Sequence, residues 1–63
     1  MIIVQLFVFV NNEYTREDGT TYTHVDIRRS APMPIAYLVE KYGEWMSTHQ
    51  NWQIRPVDLH YDF

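Results

Sequence analysis

Sixty-three residues make one small domain, residues 1–63, and a chain of that length buries only about 60% of its extended surface on folding. With no cysteine, neither disulfides nor thiolate-bound zinc can staple it, so dense aromatic packing or oligomerisation must make up the difference. Eight acidic residues against five basic ones leave a net charge of −3, which argues against a domain whose affinity rests on neutralising phosphates and favours a basic partner.

The chain opens with residues 1–10, MIIVQLFVFV, apolar everywhere except Gln5. The run is rich in β-branched and aromatic residues and too short to cross a bilayer, so it reads as the central strand of a small sheet. It has neither the basic leader nor the small-residue cleavage site of a secretory signal; a cytoplasmic location is expected. Successive side chains of a strand point to opposite faces. The uninterrupted set Ile2, Val4, Leu6, Val8 and Val10 is expected against a helix, and Ile3, Gln5, Phe7 and Phe9 on the open side.

Residues 11–19, NNEYTREDG, are polar and end in Asp18 and Gly19, a pair suited to positive φ in a hairpin turn. The acids Glu13, Glu17 and Asp18 are offset only by Arg16. This stretch is either a solvated hairpin or an acidic contact for a basic partner. Residues 20–29 alternate, with Thr21, Thr23, Val25 and Ile27 on one face and Tyr22, His24, Asp26 and Arg28 on the other. That is a half-buried strand whose polar face is expected beside Phe7 and Phe9.

Ser30 is a good N-cap type, and Pro34 suits a first helical turn. Ile35, Leu38, Val39, Tyr42, Trp45 and Met46 then recur at the spacing of one helical face, predicting a helix to about His49. Gly43 weakens that helix by roughly 1 kcal/mol unless close packing requires it. His49 suits a helix C-terminus, and Asn51 a left-handed residue beyond it. Residues 52–63 read as a last strand whose apolar parity switches at Pro56, through a bulge or a strand break, and which therefore lies at an edge. Short connections allow the order 2-1-3, all antiparallel, or 1-2-3 with a parallel crossover. The unbroken hydrophobicity of strand one favours the first. The expected fold is α+β: a ββαβ chain with a three-stranded, mostly antiparallel sheet in the order 2-1-3 and one helix packed on one face.

No catalytic signature emerges. His24 and Asp26 share one strand face, and Asp58, His60 and Asp62 another. With strand one between them, the two groups lie about 9–10 Å apart, too far to hold one ion unless they meet across a dimer. No nucleophile elbow or glycine-rich phosphate loop is present, and no metal, cofactor or enzymatic activity is expected. What remains is an open sheet face carrying Phe7, Phe9, Tyr22, His24, Arg28, Gln53 and Arg55. Aromatics beside arginines suit a protein contact, single-stranded nucleic acid or self-association. The scarcity of basic residues favours protein.

Glu44 and Trp45, followed by Trp52, Gln53, Ile54, Arg55 and Pro56, resemble the corresponding stretch of the small phage-encoded inhibitor of bacterial RNA polymerase. The resemblance extends to chain length and to the strand–strand–helix–strand order. In that family arginines of the last strand contact the polymerase; Arg55 matches one of them, while Gln53 stands where another arginine is expected. Small acidic phage proteins more broadly, anti-CRISPR proteins included, are similar in size and in lacking cysteine and catalytic motifs. The resemblance implies a non-catalytic, protein-binding inhibitor in the host cytoplasm. It would occlude a surface of a larger nucleic-acid-handling complex, of RNA polymerase or CRISPR effector type. Phe7, Phe9, Tyr22, Arg28 and Arg55 are the expected contacts, with Glu13, Glu17 and Asp18 as acidic ones that compete with phosphates for basic grooves. The alternatives are a single-stranded nucleic-acid module and a structural homodimer.

Overall fold

In the computed structural model, which describes residues 2–63, the apolar opening run becomes the strand on which the rest is assembled. β1 spans Ile3–Thr15, β2 Thr21–Arg29, β3 Met33–Pro34 and β4 Trp52–Pro56, with the helix α1 at Ile35–Thr48. Every other strand pairs with β1, and every pairing is antiparallel. Val4 lies opposite both Met33 and Pro56, and Phe7 opposite both Arg29 and Gln53. A strand residue has only two flanks, so β2 and β3 follow one another along one edge of β1 while β4 takes the other. The fold is thus α+β with strand one central, and the last strand lies at an edge. Five residues of β1, from Val8 to Val4, face six on the other side, from Arg28 to Met33. The extra residue is a bulge between β2 and β3.

Local chemistry explains where the elements start and stop. β1 runs through the polar residues up to Thr15 because Tyr14 and Thr15 find Tyr22 and Thr21 as cross-strand partners. The turn is correspondingly short. Arg16 N donates to Thr20 O at 2.7 Å, Gly19 N donates to Arg16 O at 3.0 Å, and Gly19 alone takes the positive φ, +88°. Ser30 is not the helix cap. It is fully buried in the bulge, where its Oγ accepts from Leu6 N at 2.8 Å and donates to Ala31 O at 3.1 Å. Pro34 precedes the first turn without a side-chain cap. A residue before proline favours extended backbone, so Met33 pairs with Val4 as the short β3.

The helix packs on the side of β1 that the parity predicted. Val4, Leu6, Met33, Leu38 and Met46 form the core, with Val8, Ala31, Tyr42, Trp45, Trp52 and Ile54 packed around it. His49 closes the helix as expected: its ring stacks 4.3 Å from that of Trp45, with Nδ1 2.9 Å from Trp45 O. Trp52 Nε1 satisfies two further end carbonyls, Met46 O at 3.1 Å and His49 O at 2.7 Å. Asn51 is not left-handed; Leu59 is the one non-glycine of positive φ among the described residues. Instead Asn51 O accepts from Phe9 N at 2.9 Å, and Asn51 Nδ2 donates to Phe9 O at 2.7 Å.

The last strand is shorter than the sequence suggested. β4 ends at Pro56, so the parity switch there is a strand break, and residues 57–63 cross the sheet as an irregular strap. Gln5 fastens it. This side chain lies on the face opposite the helix, as expected, but is fully buried rather than solvated. Its Oε1 accepts from Asp58 N at 2.5 Å, and its Nε2 donates to His60 O at 2.7 Å and Ser30 O at 2.8 Å. The strap then reaches the β2 edge, where Asp62 N donates to Arg29 O at 2.7 Å and Ala31 N to Phe63 O at 2.8 Å. No helix among the described residues is long and apolar enough to cross a membrane.

Two stability changes follow. A Cβ on Gly43 would meet only Val39 Cγ1, at 3.8 Å, so packing does not require the glycine and Gly43→Ala should raise unfolding free energy by about 1 kcal/mol in urea titration. Gln5→Leu leaves three backbone groups without their partner; it should lower stability by roughly 2 kcal/mol or more and speed amide exchange in residues 58–63.

Candidate functional site

A strand rises about 3.3 Å per residue and a helix about 1.5 Å, so the 13 residues of β1 extend about twice as far as the 14 of α1. The helix therefore covers only the proximal half of the strand. Beyond it β1 and β2 continue as a bare two-stranded arm, which stretches the molecule to 50 × 26 × 14 Å. The arm ends in the acidic turn. Glu13 and Glu17 are exposed there, whereas Asp18 is committed to the turn itself: its Oδ1 accepts from Thr20 Oγ1 at 2.7 Å and from Thr20 N at 3.0 Å. Those bonds, the hydroxyl's first, hold its carboxyl below the usual aspartate range.

The open sheet face differs from the one the sequence suggested. Register places Arg29 opposite Phe7, Ile27 opposite Phe9 and Val25 opposite Asn11. Tyr22, His24, Asp26 and Arg28 therefore belong to the helix-side face, and Tyr22 and Arg28 do not join Phe7 and Phe9. Phe7 is only 4% exposed. Guanidinium groups lean over its ring from both flanking strands, Arg29 at 5.2 Å and Arg55 at 5.1 Å from the centroid. The Asp58 carboxylate stands beside Arg29, Oδ2 3.2 Å from Nε, an ion pair without hydrogen-bond geometry. Arg55 donates to Gln53 Oε1 at 2.8 Å and also lies 5.5 Å from the Phe9 ring. On the arm the accessible apolar surface of this side is thus the half-buried Phe9 with the exposed Val25 and Ile27, and Ile3 is exposed at the other end of β1. Val25 and Ile27 were not expected on this face, and only the register, set by the short turn, reveals them.

The helix-side face of the arm carries a polar aromatic cluster. Asp26 Oδ2 accepts from Tyr14 OH at 2.7 Å and from Asn12 Nδ2. The Tyr14 and Tyr22 rings are 5.6 Å apart, and the Arg16 guanidinium sits 4.6 Å from the Tyr22 centroid. The hydrogen bond from Tyr14, then that from Asn12, holds the Asp26 carboxyl below its ordinary value, and the same bond pushes the Tyr14 phenol up. His24 and Asp26 stay on the arm while Asp58, His60 and Asp62 lie in the strap; among the described residues no group of three or more metal-ligating side chains is gathered. A cavity of about 300 Å³ opens where the helix leaves β2 uncovered, lined by Leu6, Val8, Arg28, Tyr42, Trp45 and Phe63.

Comparison of the chain with family models, with curated proteins and with solved structures returned no match.

The arm cluster titrates in a defined sense. Asp26 has a depressed folded-state pKa, so its contribution to stability is present above the unfolded carboxylate pKa and is lost as pH falls through the folded one. Carbon-detected NMR titration should place its midpoint below that of an unpaired aspartate. Asp26→Asn should return the Tyr14 phenol toward its ordinary value of 10.0, and a Tyr14 midpoint unmoved by that change would refute the coupling.

Proposed function

We propose that the protein is a non-catalytic binding module that inhibits a larger nucleic-acid-handling complex, of RNA polymerase or CRISPR effector type, by covering one of its surfaces. The observation that carries this reading is the bare arm. It presents an apolar strip of Phe9, Val25 and Ile27 between Arg55 and an acidic tip, a polar-rimmed patch of the sort that seats a protein partner. Glu13 and Glu17 supply charge that competes with phosphates for a basic groove. The burial of Phe7 beneath two arginines leaves little aromatic platform for stacking bases.

The test is capture from a bacterial lysate on the immobilised protein, with nuclease-treated and untreated halves compared by mass spectrometry. A discrete complex should survive nuclease, and Glu13→Lys with Glu17→Lys should cut its retention about tenfold, a change of about 1.4 kcal/mol. Retention that disappears with nuclease would replace this reading with the single-stranded nucleic-acid module.

One observation favours self-association as a second reading. Arg29 N and O both point away from β1, to Asp62; by the twofold alternation of a strand, Val25 and Ile27 also direct their N–H and C=O groups outward. The outer edge of β2 is open there, a template for a second copy. In this reading sedimentation at high micromolar concentration gives twice the 7.6 kDa chain mass. Val25→Pro, which removes no bond to β1, should return the monomer.

A further inference from the structure

The cavity beside the helix is an unfilled part of the protein's own core. Leu6 and Val8 line it from β1, Tyr42 and Trp45 from the helix, and Phe63 from the strap. Leu6 is otherwise completely buried, and Phe63 meets Tyr42 edge to face at 5.9 Å between centroids. The lining is aromatic and aliphatic apart from Arg28, which stands directly opposite Val8 on β2. Arg28 is exposed and has no ion-pair partner among the described residues. The nearest carboxylate on its strand face, Asp26, accepts from Tyr14 and Asn12, and the Arg28 charge acts on it only at longer range. At about 300 Å³ the cavity lies at the small end of the range of ligand sites.

An apolar hollow with aromatic walls and one arginine, in no close ion pair, among its lining residues has the chemistry of a site for a small aromatic anion. The walls desolvate a flat ring, and edge or offset contacts with Tyr42, Trp45 and Phe63 favour an aromatic ring over a flexible chain. A guanidinium takes a carboxylate through two parallel N–H···O bonds, which fixes the ring's orientation. We propose that this cavity binds a small aromatic carboxylate, its ring against Tyr42, Trp45 and Phe63 and its carboxylate on Arg28. The proposal is independent of the binding reading above, because it uses the groove between α1 and β2 and not the arm's apolar strip or acidic tip.

The probe is 2-naphthoate, with neutral 2-naphthamide as its control, each titrated to about 5 mM into the labelled protein and followed by amide NMR and calorimetry. Naphthoate should shift the amides of Val8, Arg28, Tyr42 and Phe63 saturably and should bind more tightly than the amide. Arg28→Gln changes an exposed side chain and should leave the fold intact. It should weaken naphthoate about tenfold while leaving naphthamide unchanged. Absence of saturable shifts at these residues, shifts centred elsewhere, or equal loss of both probes in Arg28→Gln would each overturn the proposal. Equal loss would mean that Arg28 packs against the ring and does not pair with an anion.

Discussion

A glutamine amide at the middle of a sheet must find hydrogen-bond partners or destabilise the fold by roughly 1–3 kcal/mol for each group left unmet. Gln5 finds them in the strap, and much of the molecule's surface depends on that choice. Its bonds to Asp58 N and His60 O bring residues 57–63 across β1. Asp58 in turn steadies Arg29 over Phe7, and the far end of the strap sets Phe63 against Tyr42. One buried polar residue thereby decides that Phe7 is covered on the open face and that a groove forms on the helix face. In a domain with so small a core, this polar fastening partly replaces the disulfide that the composition denies it.

The second constraint is the mismatch between strand and helix. Half of β1 and most of β2 extend past any covering layer, and a two-stranded ribbon in water is marginal by itself. The arm is held by cross-strand contacts, Tyr14 with Tyr22 and the Asp26 carboxylate with Tyr14 and Asn12. It belongs to the part of the molecule that opens most readily, with few buried side chains and solvent-exposed ladder bonds. A partner that grips it would order it further, so the least stable element is also the one best placed to gain from binding.

How much of this was legible in the sequence follows from which signals are local. The parity of residues 1–10, the helical spacing from Ile35 to Met46 and the isolated Pro56 each speak for their own neighbourhood. The first sets Val4 and Leu6 under the helix, the second names the helix but counts Ile35 and Val39 on a face where they stay exposed, and the third marks a break beyond which no strand continues. Register is not local. Whether Phe9 faces Ile27 or its neighbour depends on a turn one residue longer or shorter, and a one-residue slip turns every side chain of β2 to the other face. That is why Tyr22 and Arg28 were expected beside Phe7, and why Val25 and Ile27 were overlooked. Ser30 misled for a related reason: its hydroxyl suits a cap, but the bulge buries it beside Leu6 N, a donor no sequence window reveals. The strap was hidden because a polar residue in a strand reads as solvent-facing until the segment that satisfies it is known.

The two sides of the sheet consequently divide the charge unevenly. Three of the four arginines lie toward the covered end, Arg29 and Arg55 over Phe7 and Arg28 at the groove, while Arg16 stays on the arm beside Tyr22. The acids Glu13, Glu17 and Asp18 gather at the tip; even Glu13, opposite Thr23, lies five strand residues from Arg28, about 17 Å along the ribbon. Beyond a Debye length of about 8–10 Å the two groups scarcely sense each other. A net charge of −3 is therefore a poor guide to any one surface of this protein. A basic groove approaching the tip meets concentrated negative charge, whereas an anion approaching the helix side meets Arg28, so a chain this small can present opposite electrostatic faces to two different ligands.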